Sequence, residues 1–132
     1  MKRVLFKWVG LSAITLIVGL ILFYGVICLS IYSEVNSVSE YARQRYEGEA
    51  VLAIVKLLES PDTDFEIKNR TVYALGQIGD EAALVALKNQ KSGISCPKPC
   101  TKKGYICQYN LDKAIRTCEG QFSATKWMYR FL

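Results

Sequence analysis

The chain has 132 residues, with 17 Lys+Arg, 12 Asp+Glu, five cysteines and no histidine. That length holds one membrane anchor and one small domain, and the absence of histidine removes the commonest general base and the commonest metal ligand. The net charge of +5 does not point to nucleic acid, because Lys2, Arg3 and Lys7 supply three of it and leave 14 basic against 12 acidic residues after Ser33, whereas a nucleic-acid surface shows as a basic stripe on the folded domain.

The first element is an apolar run. Trp8 to Ser33 is 26 residues without a charge, and about 20 suffice to cross roughly 30 Å of hydrocarbon. Trp8 and Tyr32 stand near its ends, where amphipathic rings favour the headgroup layer. A cleaved signal peptide begins in the same way, but its apolar core is about 7–15 residues and ends in a small-x-small site. Here Val26-Ile27-Cys28-Leu29-Ser30 puts bulky residues there. Cys28 lacks the small preceding residue of a lipoprotein site and reads as an apolar helix residue. Residues 1–33 are therefore a basic flank and an uncleaved transmembrane anchor. Lys2, Arg3 and Lys7 lie beside it, while the far side has no basic residue before Arg43. The positive-inside rule then places the N-terminus in the cytoplasm and the domain on the periplasmic or extracellular side of the cell (inner) membrane.

Residues 34–49 read as a polar linker or a juxtamembrane helix. In Ala50–Ser60, Val51, Ile54, Val55 and Leu58 recur at helical spacing, and Ser60-Pro61-Asp62 stops the run. A second helix is predicted over Phe65–Gly79, with Ile67, Val72, Leu75 and Ile78 apolar and Gly79 placed for a left-handed cap. Asp64, Lys68 and Arg70 form its solvated face, Asp64 being set to pair with Lys68 at i,i+4. Asp80 caps a third helix over 80–91, with Ala83, Leu84 and Leu87 inward and Lys88 and Lys91 at its C-terminal end. The prediction is an all-α protein, with no strand pattern anywhere after the anchor.

The run Ile67-Lys68-x-x-Thr71-Val72-x-Ala74-Leu75-Gly76-x-Ile78-Gly79-Asp80-x-x-Ala83-Leu84-x-Ala86-Leu87 resembles the HEAT-like repeat of the phycobilisome-lyase type. Ala74 to Asp80 match that pattern throughout. Thr71 and Val72 stand for its two alanines, Lys68 for its arginine and Val85 for its proline. The resemblance implies paired helices that bury their apolar faces by stacking on neighbours. It spans about residues 50–91 and continues toward 120 through Asn110–Ile115, giving about two repeats over 50–120 with a cysteine-rich insertion at 92–109. Gly76 and Ala74 then mark a close helix seam. Pigment attachment, the chemistry of those lyases, is not carried over, because they have many repeats and no anchor. Repeat folds host many activities, so the resemblance speaks to fold alone.

Cys96, Cys100, Cys107 and Cys118 come next in the chain, spaced C-x3-C-x6-C-x10-C. On the non-cytoplasmic side, where disulfides persist, four cysteines read as two bridges, with Cys96 or Cys100 tied to Cys118. A zinc site lacks the usual C-x2-C spacing, and free or redox-active thiols complete the alternatives. The lysines at 88, 91, 98, 102 and 103 form either a soluble loop or a patch for an acidic partner or lipid. The tail, 121–132, carries Trp127, Tyr129 and Phe131 and is expected to cap the helical stack, an exposed peptide that docks onto a partner being the alternative. No serine, cysteine or carboxylate pair comes with a base and an orienting partner, so neither catalysis nor a cofactor is expected. The expected function is a membrane-tethered module that binds another protein, possible homo-oligomers included. A small thiol- or metal-binding protein using the four cysteines is the alternative.

Overall fold

The computed structural model describes residues 2–94 and 104–129, and among them every regular element is helical. Helix α1 runs from Lys2 to Arg45, α2 from Ala50 to Glu59, α3 from Phe65 to Ile78, α4 from Leu84 to Asn89 and α5 from Gln108 to Cys118. Single 3₁₀ turns cover Glu81–Ala83 and Lys126–Tyr129.

By packing, the chain divides into two units, Met1–Ser33 and Glu34–Leu132. The first is one apolar helix, long enough to cross a membrane. Leu16, Ile21, Leu22, Phe23 and Leu29 are all exposed on it. Cys28 is a buried free thiol.

The second unit opens with the last turns of α1, so the stretch after Ser33 is helix as far as Arg45 rather than linker. Val35, Val38, Ser39 and Ala42 are buried there, at i, i+3, i+4 and i+7. In α2 the inward stripe is Ala50, Ala53, Ile54, Leu57 and Leu58, with Val51 and Val55 half-buried. This stripe is rotated by one position from the predicted one. The cause is that the small Ala50 and Ala53 face the neighbouring helix, which a hydrophobicity pattern weights too lightly.

Helix α3 begins where the Asp64 side chain accepts a hydrogen bond from the Ile67 amide at 2.9 Å. That caps the helix instead of pairing with Lys68, and such caps are worth about 1 kcal/mol. It ends at Gly79, left-handed at φ 67°, whose amide donates to the Leu75 carbonyl. Asp80 then accepts from the Ala82 amide at 2.8 Å. The element it caps is a 3₁₀ turn leading into the short α4, not one helix over 80–91.

Helix α5 packs along α3 more extensively than any other pair of elements meets. The two run in the same direction. Asn69 meets Cys107 near their starts, Gly76 meets Ala114 midway, and Gly79 meets Thr117 near their ends. Helix α2 also touches α4. The core is Ile54, Leu57, Leu58, Val72, Leu75, Leu87 and Leu111, all without solvent contact.

Candidate functional site

The residues of the Ala74–Asp80 motif build the domain. Ala74 and Leu75 are fully buried and Ile78 nearly so, Gly79 closes α3 and Asp80 caps the 3₁₀ turn over Glu81–Ala83. Gly76 lies on the α3–α5 seam, where a Cβ would stand 2.9 Å from the Ala114 Cβ and 3.0 Å from its Cα. Lys68 is half-buried on α3.

Two side-chain amides, neither singled out by the sequence, tie down both ends of the cysteine-rich insertion. From α3, the Asn69 Nδ2 donates to the carbonyls of Phe65 at 2.8 Å and Tyr105 at 3.0 Å. Its Oδ1 accepts from the Cys107 amide at 2.7 Å. From α5, the Gln108 Nε2 donates to the carbonyls of Gln90 and Ile106, each at 3.2 Å, and its Oε1 accepts from the Ser92 amide at 3.0 Å. A primary amide offers two donors and a carbonyl oxygen, so one side chain can hold several backbone strands that have no ladder of their own. No periodicity marks such a residue.

The cysteines do not form one constellation. Cys118, expected in a bridge to Cys96 or Cys100, is a free thiol with no solvent exposure. It sits on the inward face of α5 with its Sγ 3.7 Å from the Leu75 carbonyl, which places it in the core rather than facing the loop. Cys107 stands at the start of α5, buried and not among the free thiols. Cys96 and Cys100, like Lys98, Lys102, Lys103 and Phe131, lie outside the described residues.

Burial raises the Cys118 thiol to about 11 from an ordinary 9.0. The sign of the consequence comes from linkage: the folded state holds the proton more tightly, so the contribution is complete below about pH 9 and fades as pH rises toward 11. Between those values the native protein should lose stability relative to Cys118→Ala. A denaturation series in which the two proteins keep a constant difference would count against a buried thiol.

The expected lysine patch is also reduced. Lys88 pairs with Glu119 at 2.6 Å and Lys91 with Asp112 at 3.0 Å, linking α4 and its exit to α5. These half-exposed pairs steer packing more than they stabilise it.

What the surface does offer is a cleft of about 820 Å³, open to solvent, with α3 as its wall. Glu34, Glu66, Phe65, Arg70, Tyr73 and Asn110 line it. Arg70 crosses to α1, its Nε 2.6 Å from the Glu34 carboxylate and a terminal nitrogen 3.5 Å from the Ser37 hydroxyl. That hydrogen bond holds the guanidinium above its ordinary value. Burial, with the Glu34 carboxylate second, raises the Tyr73 phenol in the same cleft. Phe65 is about half exposed, at 46 %. The cleft thus combines carboxylates with aromatic surface. Arg70, Glu34 and Tyr73 hold complementary hydrogen-bonding groups there.

No family model, curated protein or solved structure matches this chain. The class that the observations define is a small all-helical domain preceded by one apolar helix able to span a membrane.

Proposed function

We propose that this protein is a membrane-tethered helical module that binds another protein through the cleft along α3. The observation that carries the reading is that α1 is unbroken from Lys2 to Arg45. The same helix that is apolar enough to span a bilayer supplies, in its last turns, a wall of the domain and of its cleft. A tethered domain suits an accessory or assembly subunit better than a diffusing binder. The N-terminus is cytoplasmic and the domain lies on the opposite side, by the excess of basic residues at Lys2, Arg3 and Lys7.

The HEAT-like repeat belongs to the same proposal. Support comes from the parallel pairing of α3 with α5 and the contact of α2 with α4, the arrangement in which equivalent helices of successive pairs stack. The insertion would carry one disulfide that engages Cys107, for which Cys28 and Cys118, both free thiols, are not the partner. The unfolded, unreduced chain should then show three thiols, five cysteines less two; five or one would refute a single bridge.

The test of the cleft is photo-cross-linking in intact membranes. A cross-linker at Phe65, in the cleft, should capture a protein that the same group at Val85, which is 70 % exposed on α4, does not. Glu66→Arg should abolish the capture. Equal capture from both positions, or none from Phe65, would refute the assignment of the cleft.

A further inference from the structure

The cleft continues beyond its widest part. Tyr73 and Asn110, which line it, also line a narrower recess with Gly76, Lys113 and Thr117. The two form one groove that follows α3 and α5 from Phe65 to Gly76. Eleven residues of α3 separate those ends, about 16 Å at 1.5 Å per residue. An extended chain rises about 3.3 Å per residue, so the groove has the length of about five residues of a bound strand.

Charge is divided along this groove. At its start Asp64, Phe65 and Glu66 all line the cleft, so a half-exposed aromatic ring stands with two carboxylates. The cleft's own cation does not neutralise them, because Arg70 is engaged by Glu34 at 2.6 Å. At the far end the exposed charge is that of Lys113. Neither Glu66 nor Lys113 enters an ion pair among the described residues. The acidic end is not a by-product of composition, since the residues after Ser33 hold 14 basic against 12 acidic side chains. A ring face beside carboxylates attracts a lysine or arginine cation through both terms. Because Gly76 meets Ala114, Lys113 lies level with a point nine residues beyond Glu66 on α3, about 13 Å away along the groove. In an extended chain, side chains at i and i+4 point the same way and also stand about 13 Å apart.

We propose that the occupant of the groove is an extended segment of the partner protein, carrying a lysine or arginine that docks on Phe65 and Glu66 and an acidic side chain four residues away that meets Lys113. The proposal rests on the reading of the cleft as a protein-binding site, and it gives that site a partner chemistry. Exposed ion pairs are weak and are screened by salt, so the groove selects its partner by charge and spacing while binding any short peptide modestly.

The test is an amide chemical-shift titration of the isotope-labelled full chain in uncharged detergent micelles. The probe is the peptide acetyl-Lys-Ser-Leu-Ser-Glu-amide at millimolar concentration. It should shift the amides of Glu66, Arg70, Tyr73 and Lys113 and leave that of Val85 on α4 in place. Glutamine in place of the peptide's lysine should weaken binding about fivefold, the effect of losing one exposed ion pair, and so should added salt. Glu66→Arg should reverse the preference, favouring a peptide with glutamate where the first has lysine. Equal affinity for charged and uncharged peptides, or shifts confined to α4, would overturn the proposal. If no peptide shifts the groove while a cross-linker at Phe65 still captures a protein in membranes, the charged strand is refuted and the cleft remains a protein-binding site. Failure of both measurements would refute the two together.

Discussion

Replacing Gly76 by alanine is expected to destabilise the domain by about 1–3 kcal/mol, the range for overpacking a close-packed seam. The direction is diagnostic. In an open helix interior the same change would stabilise by up to about 1 kcal/mol, because glycine is a poor helix former. Here the added methyl would stand 2.9 Å from the Ala114 Cβ and 3.0 Å from the Ala114 Cα. The second of those is backbone and cannot rotate away, so α5 must shift off α3. Gly76→Val should prevent native packing altogether. Urea unfolding of the full chain in detergent, monitored by circular dichroism, measures both. A stabilised Gly76→Ala protein would mean that α3 and α5 do not cross at this point.

Asn69→Ala is the second large effect, an expected loss of about 2–4 kcal/mol. It removes three hydrogen bonds at once and leaves the Cys107 amide and the Tyr105 carbonyl in partly buried positions without that partner, each such group costing about 1–3 kcal/mol before relaxation. Asn69→Asp should recover little, since a carboxylate accepts from the Cys107 amide but cannot donate to two carbonyls. Hydrogen exchange at Ile106, Cys107 and Gln108 should accelerate in both variants. Reduction of the native protein should leave those amides protected, because side-chain amides and the α3–α5 seam hold the segment. Protection lost on reduction and unchanged by Asn69→Ala would return the task to the cysteines.

Those two residues also show what the chain discloses before it folds. Gly76 was legible as a seam, because a small residue inside an amphipathic run has few other uses; that its partner is Ala114 was not. Gly79 and Asp80 carried local signals that need only their neighbours in sequence, and both act locally. Asn69 carried no signal, since its partners lie 36 and 38 residues away. The cysteines misled for a related reason. An even count suggested pairing, but Cys118 occupies an inward position of α5, between Ala114 and Ile115 on one side and Leu75 on the other, where a small apolar residue is what packing requires. The end of α1 was left open because Val35, Val38 and Ala42 are spread among polar residues, and their burial becomes visible only in the folded domain.

The tethered function requires that α1 spans a membrane and carries the helical domain on the side opposite Lys2, Arg3 and Lys7. The direct measurement is protease protection of the full chain, tagged at each end, in sealed membranes of known orientation after an alkaline carbonate wash. The chain should stay with the membrane and keep its N-terminal tag. The C-terminal tag should be cut only when the non-cytoplasmic face is accessible. Release into the wash, loss of the N-terminal tag by cleavage after the apolar run, or a C-terminal tag cut from the cytoplasmic face would contradict it.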